Sequence, residues 1–578
     1  MYDRLNKVEK LAFDILSVGL VLFYSFSAII RPASTQYHRG ILVIITYVLV
    51  FLLYRSKSRI MRVADYLLIM GSVIFCGYWM LNFEALNYRA GAETYTDQLI
   101  GVAGVLIGIE VARRVIGLVF VILGAVAIAY GVYGPYVPEL FAHPGDSFIG
   151  MCTTIFYQSD GVFGIMADVV ATYVLLFVLF GSFLEKSGAQ KFFMDFPLAA
   201  VGHRTGGPAK VAVIASALFG SISGSAIANT VSTGAFTIPL MKKAGFRPHV
   251  AGAIEPAASI GGMFMPPIMG AGGFIMAELT GVSYSRIMLI ALFPAFMYFF
   301  SVFVMVHYEA KAHNIRGVKS EFSPWSILKA EWYYMLPLIL ITGFMLKGYS
   351  AGFSAIIGIL SCIAVSWVKK ETRIDLKGFV AASRSGAESS LKIGATIGVI
   401  GIIISVLTYS GLILTFADIV IQLAGGKLFL TILLIAFASL FLGMGVPVTA
   451  AYLITAVVAV PALTHLGVNE VAAHMIVYWL SQDSNITPPV CIAAFAGATI
   501  ARANMWRTAF SSFKFAKFLY LGPFLFGYVP GFSLQGDTAD IIKVFVLVTI
   551  GTFSYSWFLS LIWWYKIKEM WKKRAVAA

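Results

Sequence analysis

The sequence contains few charged residues and few cysteines. Only 12% of its 578 residues are charged, against roughly 25% in soluble globular proteins. With 59% apolar residues, the chain cannot cover soluble domains with a surface that water tolerates. The 4 cysteines are scattered and form no CxxC or Cys/His cluster, so their spacing indicates neither a disulfide framework nor a zinc site. The composition indicates an all-α polytopic membrane protein.

The sequence also lacks the motifs of an ATP-driven pump and of a serine hydrolase. No GxxxxGK[ST] loop occurs, and Ser223 has neither a GxSxG context nor a plausible histidine partner on a neighbouring helix. We therefore expect no enzyme and no cofactor. An intramembrane protease and a channel without gradient coupling stay open as alternatives to a transporter. A flux assay separates them, because a transporter saturates and needs an ion gradient.

Positive charge is in excess, with 42 Lys+Arg against 28 Asp+Glu. Lysine and arginine concentrate in the cytoplasmic loops of membrane proteins, so this excess is expected of such a protein. We therefore expect no nucleic-acid partner. Basic loops, such as Arg55–Arg62 and Arg113–Arg114, alternate with acidic ones. Another basic group closes the sequence, namely Lys566, Lys568, Lys572, Lys573 and Arg574. The apolar stretches of about 20 residues predict about fifteen membrane-embedded segments. The alternation of loop charge predicts that both termini lie in the cytoplasm.

An internal repeat is visible at a fixed offset of 222 residues. Without gaps, residues 218–267 share eleven identities with residues 440–489, among them three prolines. The turn after Pro239 contains Lys242, Lys243 and Arg247, whereas the turn after Pro461 contains no lysine or arginine. The two turns should therefore face opposite sides of the membrane. Inverted repeats of this kind are typical of alternating-access transporters.

Each repeat contains two segments whose residues interrupt a continuous helix. These segments read GSISGSAIAN (220–229), GGMFMPPIMGAGG (261–273), GMGVPVTAAY (443–452) and QDSNITPPV (482–490). Broken backbone at membrane depth is tolerated only inside protein or along a polar cavity. Freed carbonyls suit sodium and exposed helix N-termini suit a carboxylate, which predicts a transport site. The alternative is that the glycines only allow close helix packing.

Several stretches resemble the fused membrane permease of tripartite ATP-independent periplasmic (TRAP) transporters of the TAXI subgroup. They are ATYVLLFVLFGSFLEKSGA (171–189), GSISGSAIANTVSTGAFTIPLMKKAGFRP (220–248), PAASIGGMFMPPIMGAGGFIMAE (256–278), GMGVPVTAAYLI (443–454) and NITPPVCIAAFAGA (485–498). The resemblance implies sodium-driven uptake and an elevator fold of the ion-transporter type. It also implies a periplasmic TAXI-type substrate-binding protein as partner, a small organic anion as substrate, and the bacterial or archaeal inner membrane as location. Met263 and Pro256 depart from the family pattern, which has glutamine and alanine there.

From these segments we predict a domain division and two groups of site residues. Residues 1–135 form scaffold helices, 136–535 form the permease domain with repeats at about 166–307 and 392–530, and 536–578 add a transmembrane helix and a basic tail. The predicted sodium ligands are Ser223, Ser225, Asn229, Gly261, Gly262, Gly443, Gly445, Thr449, Asp483 and Thr487. The predicted substrate contacts are Ser221, Thr233, Glu255, Ser259, Met263, Pro266, Pro267, Asn485, Pro488 and Pro489.

The two acids among these residues are open to more than one interpretation. Glu255 is either a proton or cation ligand or a structural partner of a backbone amide. Asp483 directly precedes the second break and is a candidate site residue, because intramembrane acids are rare and are usually functional.

Overall fold

A computed structural model describes residues 2–56 and 58–560 of the chain. All regular structure in these residues is helical. The basic tail predicted after residue 560 lies outside the described residues, as does Lys57. The N-terminal helices are α1 (Lys7–Ile29), α2 (Thr35–Leu53), α3 (Arg59–Leu81), α4 (Phe83–Tyr88), α5 (Tyr95–Val115) and α6 (Leu118–Val132). Capping boxes begin two of them: Asn6 and Glu9 start α1, and Thr94 and Asp97 start α5.

The first repeat and the linking helices follow. Helix α7 (Phe148–Tyr157) precedes the repeat, which contains α8 (Ile165–Val169), α9 (Leu175–Lys186), α10 (Ala189–Val201), α11 (Gly207–Ser223), α12 (Ala226–Lys243), α13 (Pro248–Gly261), α14 (Gly270–Thr280) and α15 (Tyr284–Ala312). A π-helical turn, Val170–Val174, joins α8 to α9. The linking helices are α16 (Pro324–Glu331), α17 (Leu336–Leu346), α18 (Ala351–Ser366) and α19 (Leu376–Gly394).

The second repeat and one further helix complete the described chain. They are α20 (Ile397–Tyr409), α21 (Leu412–Leu423), α22 (Leu428–Leu442), α23 (Val448–His465), α24 (Glu470–Leu480), α25 (Ile492–Ala501), α26 (Met505–Phe515), α27 (Phe518–Tyr528) and α28 (Thr538–Leu559). Helix α28 is long and apolar enough to cross a membrane.

The first residues of corresponding helices are separated by the same offset as the two copies of the sequence repeat. Helices α23, α24 and α25 each begin 222 residues after α12, α13 and α14 respectively. The backbone agrees at single residues: Gly245 and Gly467 have φ of 107° and 86°, and Met269 and Cys491 have φ of 55° and 34°. Left-handed backbone is uncommon outside glycine, so its recurrence at matched positions indicates two copies of one structural unit.

The two copies are inverted relative to each other. Helix α15 has 29 residues and is about 43 Å long. Its C-terminal end meets the turn between α12 and α13 through His313 and Arg247. The start of α15, and with it the end of α14, therefore lies at the opposite face. The matched end of α25 lies at the first face, because Lys242 donates a 2.7 Å hydrogen bond to the carbonyl of Ala501.

The helices fall into two packing groups. Helices α1, α2, α3, α5 and α6 pack mainly on one another and on α7, α18, α19 and α20, and α9 joins this group through α18 and α19. Arg384 of α19 fixes this arrangement through a 2.6 Å ion pair with Asp14 of α1. In the other group, α13 packs on α11, α12, α25 and α26, so helices from both repeats form one bundle.

Nine described helical stretches are long and apolar enough to cross a membrane, and seven shorter apolar helices accompany them. The sequence-based number of about fifteen segments counts full spans and half-helices together. Several predicted spans are composite, since α13 with α14 and α24 with α25 each consist of two half-helices joined by a break.

Candidate functional site

The first break lies between α13 and α14, at residues 262–269, and the tip of the α11–α12 hairpin packs against it. A Cβ added to Gly262 would lie 2.4 Å from the Cα of Gly220, and one added to Gly224 would lie 3.1 Å from the Cα of Gly270. Only glycine permits such a close approach of two backbones. The hairpin tip and the break therefore form one unit.

Two tyrosines donate hydrogen bonds to the carbonyls of this break. The Tyr478 hydroxyl lies 2.8 Å from the Met263 carbonyl oxygen and 2.5 Å from that of Met269. The Tyr284 hydroxyl lies 2.8 Å from the Pro267 carbonyl oxygen and 2.5 Å from that of Ile268. Several carbonyls that the sequence analysis left free for sodium thus have protein donors. The peptide bond between Pro266 and Pro267 is cis.

The predicted polar ligands at the first break take different roles. Asn229 donates to the Ser216 carbonyl at 3.1 Å and the Ser259 carbonyl at 3.5 Å, so its amide group joins α12 to α11 and α13. Ser225 caps α12 at the Ala228 amide. Ser221 donates to the Leu218 carbonyl at 2.8 Å. The hydroxyls of Ser223 and Ser259 are buried and have no hydrogen-bond partner among the described residues.

Glu255 lies inside a cluster of hydroxyl groups. Its side chain is fully buried. Ser216 donates to Oε1 at 2.5 Å, Thr233 also donates to Oε1, and Thr237 donates to Oε2. Since both carboxyl oxygens accept hydrogen bonds here, the geometry favours an internal role for Glu255 and Thr233 over the predicted substrate contact. The partners are hydroxyls of α11 and α12 rather than the backbone amide that the sequence suggested.

The second break lies between α24 and α25, at residues 481–491. Asp483 is 3% exposed and Gln482 is 0% exposed. Asp483 Oδ1 and both polar atoms of the Gln482 side chain have no hydrogen-bond partner among the described residues. A buried polar group without a partner is unfavourable by about 1–3 kcal/mol, so such groups usually have a functional reason.

The other predicted residues of the second repeat surround this break. A Cβ added to Gly443 would lie 2.6 Å from the hydroxyl oxygen of Ser484, so the tip of the α22–α23 hairpin meets the break here as well. Gly445 has a φ of 75° at that tip. Thr449 is buried with an unpartnered hydroxyl among the described residues. Thr487 instead hydrogen bonds with the Tyr520 hydroxyl.

Asn485 donates to the Gln482 carbonyl at 3.2 Å. The Pro488–Pro489 peptide bond is cis. Asn485 therefore stabilises the turn of the break, whereas Gln482 and Asp483 carry its unpartnered side-chain atoms.

Four helices begin at these two breaks and hairpin tips, namely α12, α14, α23 and α25. A helix N-terminus carries unsatisfied amides and a partial positive charge, which favours anions. The breaks thus place amide groups beside buried oxygen atoms, and this combination suits an anion together with a cation.

Sequence reasoning missed a group of residues that complete these sites: Ser216, Thr237, Tyr284, Tyr478, Gln482 and Tyr520. Gln482 was within a segment already identified as broken, so its polar side chain was the available signal. The others lie on apolar helices, where the sequence alone shows no partner.

The chain matches over residues 103–532 the family model described as "Tripartite ATP-independent periplasmic transporter, DctM component". It is 26% identical over 321 residues to a TRAP transporter large permease protein of Haemophilus influenzae, covering 54% of this chain and 74% of that protein. It is 23% identical over 401 residues to the C4-dicarboxylate TRAP transporter large permease protein DctM of Pseudomonas aeruginosa, covering 67% and 92%.

Among solved structures, the crystal structure of the Alcanivorax borkumensis YdaH transporter is similar at a TM-score of 0.49 and 18% identity. That match covers 74% of this chain and 98% of the YdaH chain.

Proposed function

Because this chain belongs to the DctM component family of tripartite ATP-independent periplasmic transporters, we propose that it takes up a small carboxylate-bearing solute delivered by a periplasmic substrate-binding protein. It is a multi-pass transport permease and not an enzyme. The observation that carries the proposal is the pair of inverted breaks, each beside a hairpin tip, in one helical bundle.

A carboxylate substrate is supported by the helix ends at the breaks. Helices α12, α14, α23 and α25 direct their N-termini to the breaks and hairpin tips. Curated relatives are described as permeases for C4-dicarboxylates and for sialic acid, both of which carry carboxylates. The substrate of this chain belongs to that chemical class in our proposal.

Sodium coupling is supported by the oxygen atoms that lack partners. Ser223 and Ser259 offer such hydroxyls at the first break, and Thr449 and Asp483 offer a hydroxyl and a carboxylate oxygen at the second. A cage of mostly neutral oxygens suits a monovalent cation, since divalent ions recruit several carboxylates. A sodium ion would there supply the positive charge that favours an incoming carboxylate. Asn229 stabilises the first break by donating a hydrogen bond to the Ser216 carbonyl, and Thr487 stabilises the second by its hydrogen bond with the Tyr520 hydroxyl.

An elevator movement is supported by the two packing groups. In the proposal the N-terminal helices, together with α9 and α18–α20, are static, and the bundle around α11–α13 and α22–α27 slides against them. The static part is larger than residues 1–135, because α9 and α20 are repeat helices that pack on the N-terminal group. The bundle contains both breaks, so one rigid movement carries the whole site across the membrane.

Orientation and partner complete the proposal. The face with Lys242, Lys243 and Arg247 is assigned to the cytoplasm of an inner membrane, and both termini lie on that side. The partner is proposed to be a binding protein of the TAXI type, which selects the substrate.

Reconstitution tests this function. A thermal-shift screen of the partner binding protein against C4-dicarboxylates, sialic acid and other sugar acids first identifies the solute. Proteoliposomes containing this chain should then accumulate that labelled solute only with the binding protein and an inward sodium gradient. Robust uptake without the partner, or equal uptake on a proton gradient alone, would contradict the proposal.

A further inference from the structure

The last turn of α24, in the second repeat, reaches into the break of the first repeat. Tyr478 is 2% exposed. Its hydroxyl lies 2.8 Å from the carbonyl oxygen of Met263, just after α13, and 2.5 Å from that of Met269, just before α14. One hydroxyl therefore contacts both sides of the same break. A tyrosine hydroxyl has a single hydrogen, so the two carbonyls share it only while they stay close together.

The ring of Tyr478 is fixed by the backbone of the first repeat. A Cβ added to Gly272 would lie 2.1 Å from Cε2 of this ring, so α14 approaches the tyrosine as closely as glycine permits. The next residue, Trp479, stacks on Phe264 within the break at a ring-centroid distance of 4.3 Å. Two neighbouring side chains thus fix the end of α24 to the first break, and densely packed groups of this kind move together.

The same turn leads directly into the second break. Helix α24 ends at Leu480, and Gln482 and Asp483, with their unpartnered buried atoms, follow it. A cation that gathers these oxygens acts on the end of α24 and thereby on Tyr478. The position that matches Tyr478 in the first repeat is Pro256, which has no hydroxyl, so that position supplies no equivalent contact to the second break.

We infer that Tyr478 is a positioning residue that couples cation binding at the two breaks. The inference rests on the proposed sodium coupling. A sodium ion at the second break fixes the last turn of α24, and Tyr478 then holds Met263 and Met269 at the two ends of the first break. The hairpin tip that carries Ser223 packs beside Met269, because a Cβ on Gly224 would lie 3.1 Å from the Cα of Gly270. Because coupling between two binding sites is reciprocal, an ion at the first break strengthens binding at the second. Sodium binding by the whole chain is then cooperative.

Titration calorimetry with sodium chloride tests the coupling on the purified full chain in detergent, at constant ionic strength kept with choline chloride. The wild-type isotherm should have a Hill coefficient above 1. Tyr478→Phe keeps the ring and removes the hydroxyl, so the coefficient should fall to 1 while the half-saturating sodium concentration rises about threefold to tenfold. Tyr284→Phe is the matched control. It removes a hydroxyl from the same break but from its own repeat, so it should weaken binding and keep the cooperativity.

A wild-type protein that binds no sodium overturns the proposed sodium coupling and this inference together. Cooperative wild-type binding with an unchanged Hill coefficient in Tyr478→Phe overturns the inference alone, as does a non-cooperative wild-type isotherm. Hydrogen exchange on the wild-type chain gives a second test that does not depend on a variant. Amides of residues 263–270 and 482–487 should gain protection at one common sodium midpoint, and two separate midpoints would contradict the coupling.

Discussion

The two breaks occupy matched positions in the inverted repeats, yet different atoms stabilise them. At the first, Tyr478 and Tyr284 donate to four carbonyls, and glycine contacts join the hairpin tip to the break. At the second, Gln482 and Asp483 keep buried atoms without partners among the described residues. The same backbone path thus supports one break whose carbonyls accept from the protein's own tyrosines and one whose carboxylate and carboxamide are unpartnered among the described residues. Unpartnered oxygens at the first break are the hydroxyls of Ser223 and Ser259.

Gly262→Ser should have the largest effect, because it gives the first break the residue that the second has at the matched position, Ser484. A Cβ at 262 would lie 2.4 Å from the Gly220 Cα, and backbone cannot yield as a side chain does. We expect a loss of about 3 kcal/mol or more and no monodisperse protein by size-exclusion chromatography.

Ser484→Gly, the reverse exchange, should leave the protein monodisperse and cost less than about 1 kcal/mol. Equal tolerance of both exchanges would show that the two breaks are packed alike.

Glu255→Gln should lower stability without changing the sodium dependence. The carboxylate accepts from Ser216, Thr233 and Thr237, and glutamine replaces one of its acceptor oxygens by a donor. The expected loss is about 2 kcal/mol, measured by thermal unfolding in detergent. Glu278→Gln, at an exposed acid of the same repeat, should stay within about 0.5 kcal/mol. A tenfold change in half-saturating sodium in Glu255→Gln would place this acid in the cation site.

Asp483→Asn should change the sodium dependence instead. Its carboxylate oxygen is buried and unpartnered, so removing the charge weakens a cation site more than it weakens the fold. We expect the half-saturating sodium concentration for uptake to rise about tenfold, equivalent to about 1.4 kcal/mol, with a small shift in unfolding temperature. Unchanged sodium dependence would remove Asp483 from the proposed site.

The smallest effect is expected at Thr455, which matches Thr233 of the first repeat. The second repeat has Val477 where the first has Glu255, and the Thr455 hydroxyl has no partner among the described residues. Thr455→Val removes no hydrogen bond, so it should not lower the free energy of unfolding and should raise it by no more than about 1 kcal/mol. Thr233→Val should cost about 1–2 kcal/mol, since it removes a donor from Glu255. Equal unfolding temperatures for the two variants would contradict this contrast.

The sequence predicted the repeat and the positions of both breaks because glycine and proline act locally on the backbone. Helix α12 ends at Lys243 and α13 begins at Pro248, on either side of the turn that the sequence predicted after Pro239. The apolar helices between the breaks were predicted for the same reason, since length and hydropathy are local properties.

The donors at the breaks could not be predicted in this way. Tyr478 and Met263 are 215 residues apart, and a tyrosine on an apolar helix has no periodicity that names its partner. Ser216 and Thr237 were missed for the same reason, because their shared acceptor, Glu255, comes from a third helix. The local sequence pattern shows where a helix is interrupted. Tertiary packing decides which donors bind the polar groups there.

The packing of α13 against α25 and α26 has a consequence for the synthesis of this protein in the cell. Helices α13 and α14 have 14 and 11 residues, each shorter than the about 20 needed to cross a bilayer alone. Their neighbours in the second repeat leave the ribosome more than 200 residues later. The first repeat is therefore inserted but incompletely packed until the second repeat has been translated. A chain truncated before α22 should be a substrate for membrane proteases rather than a half-sized transporter.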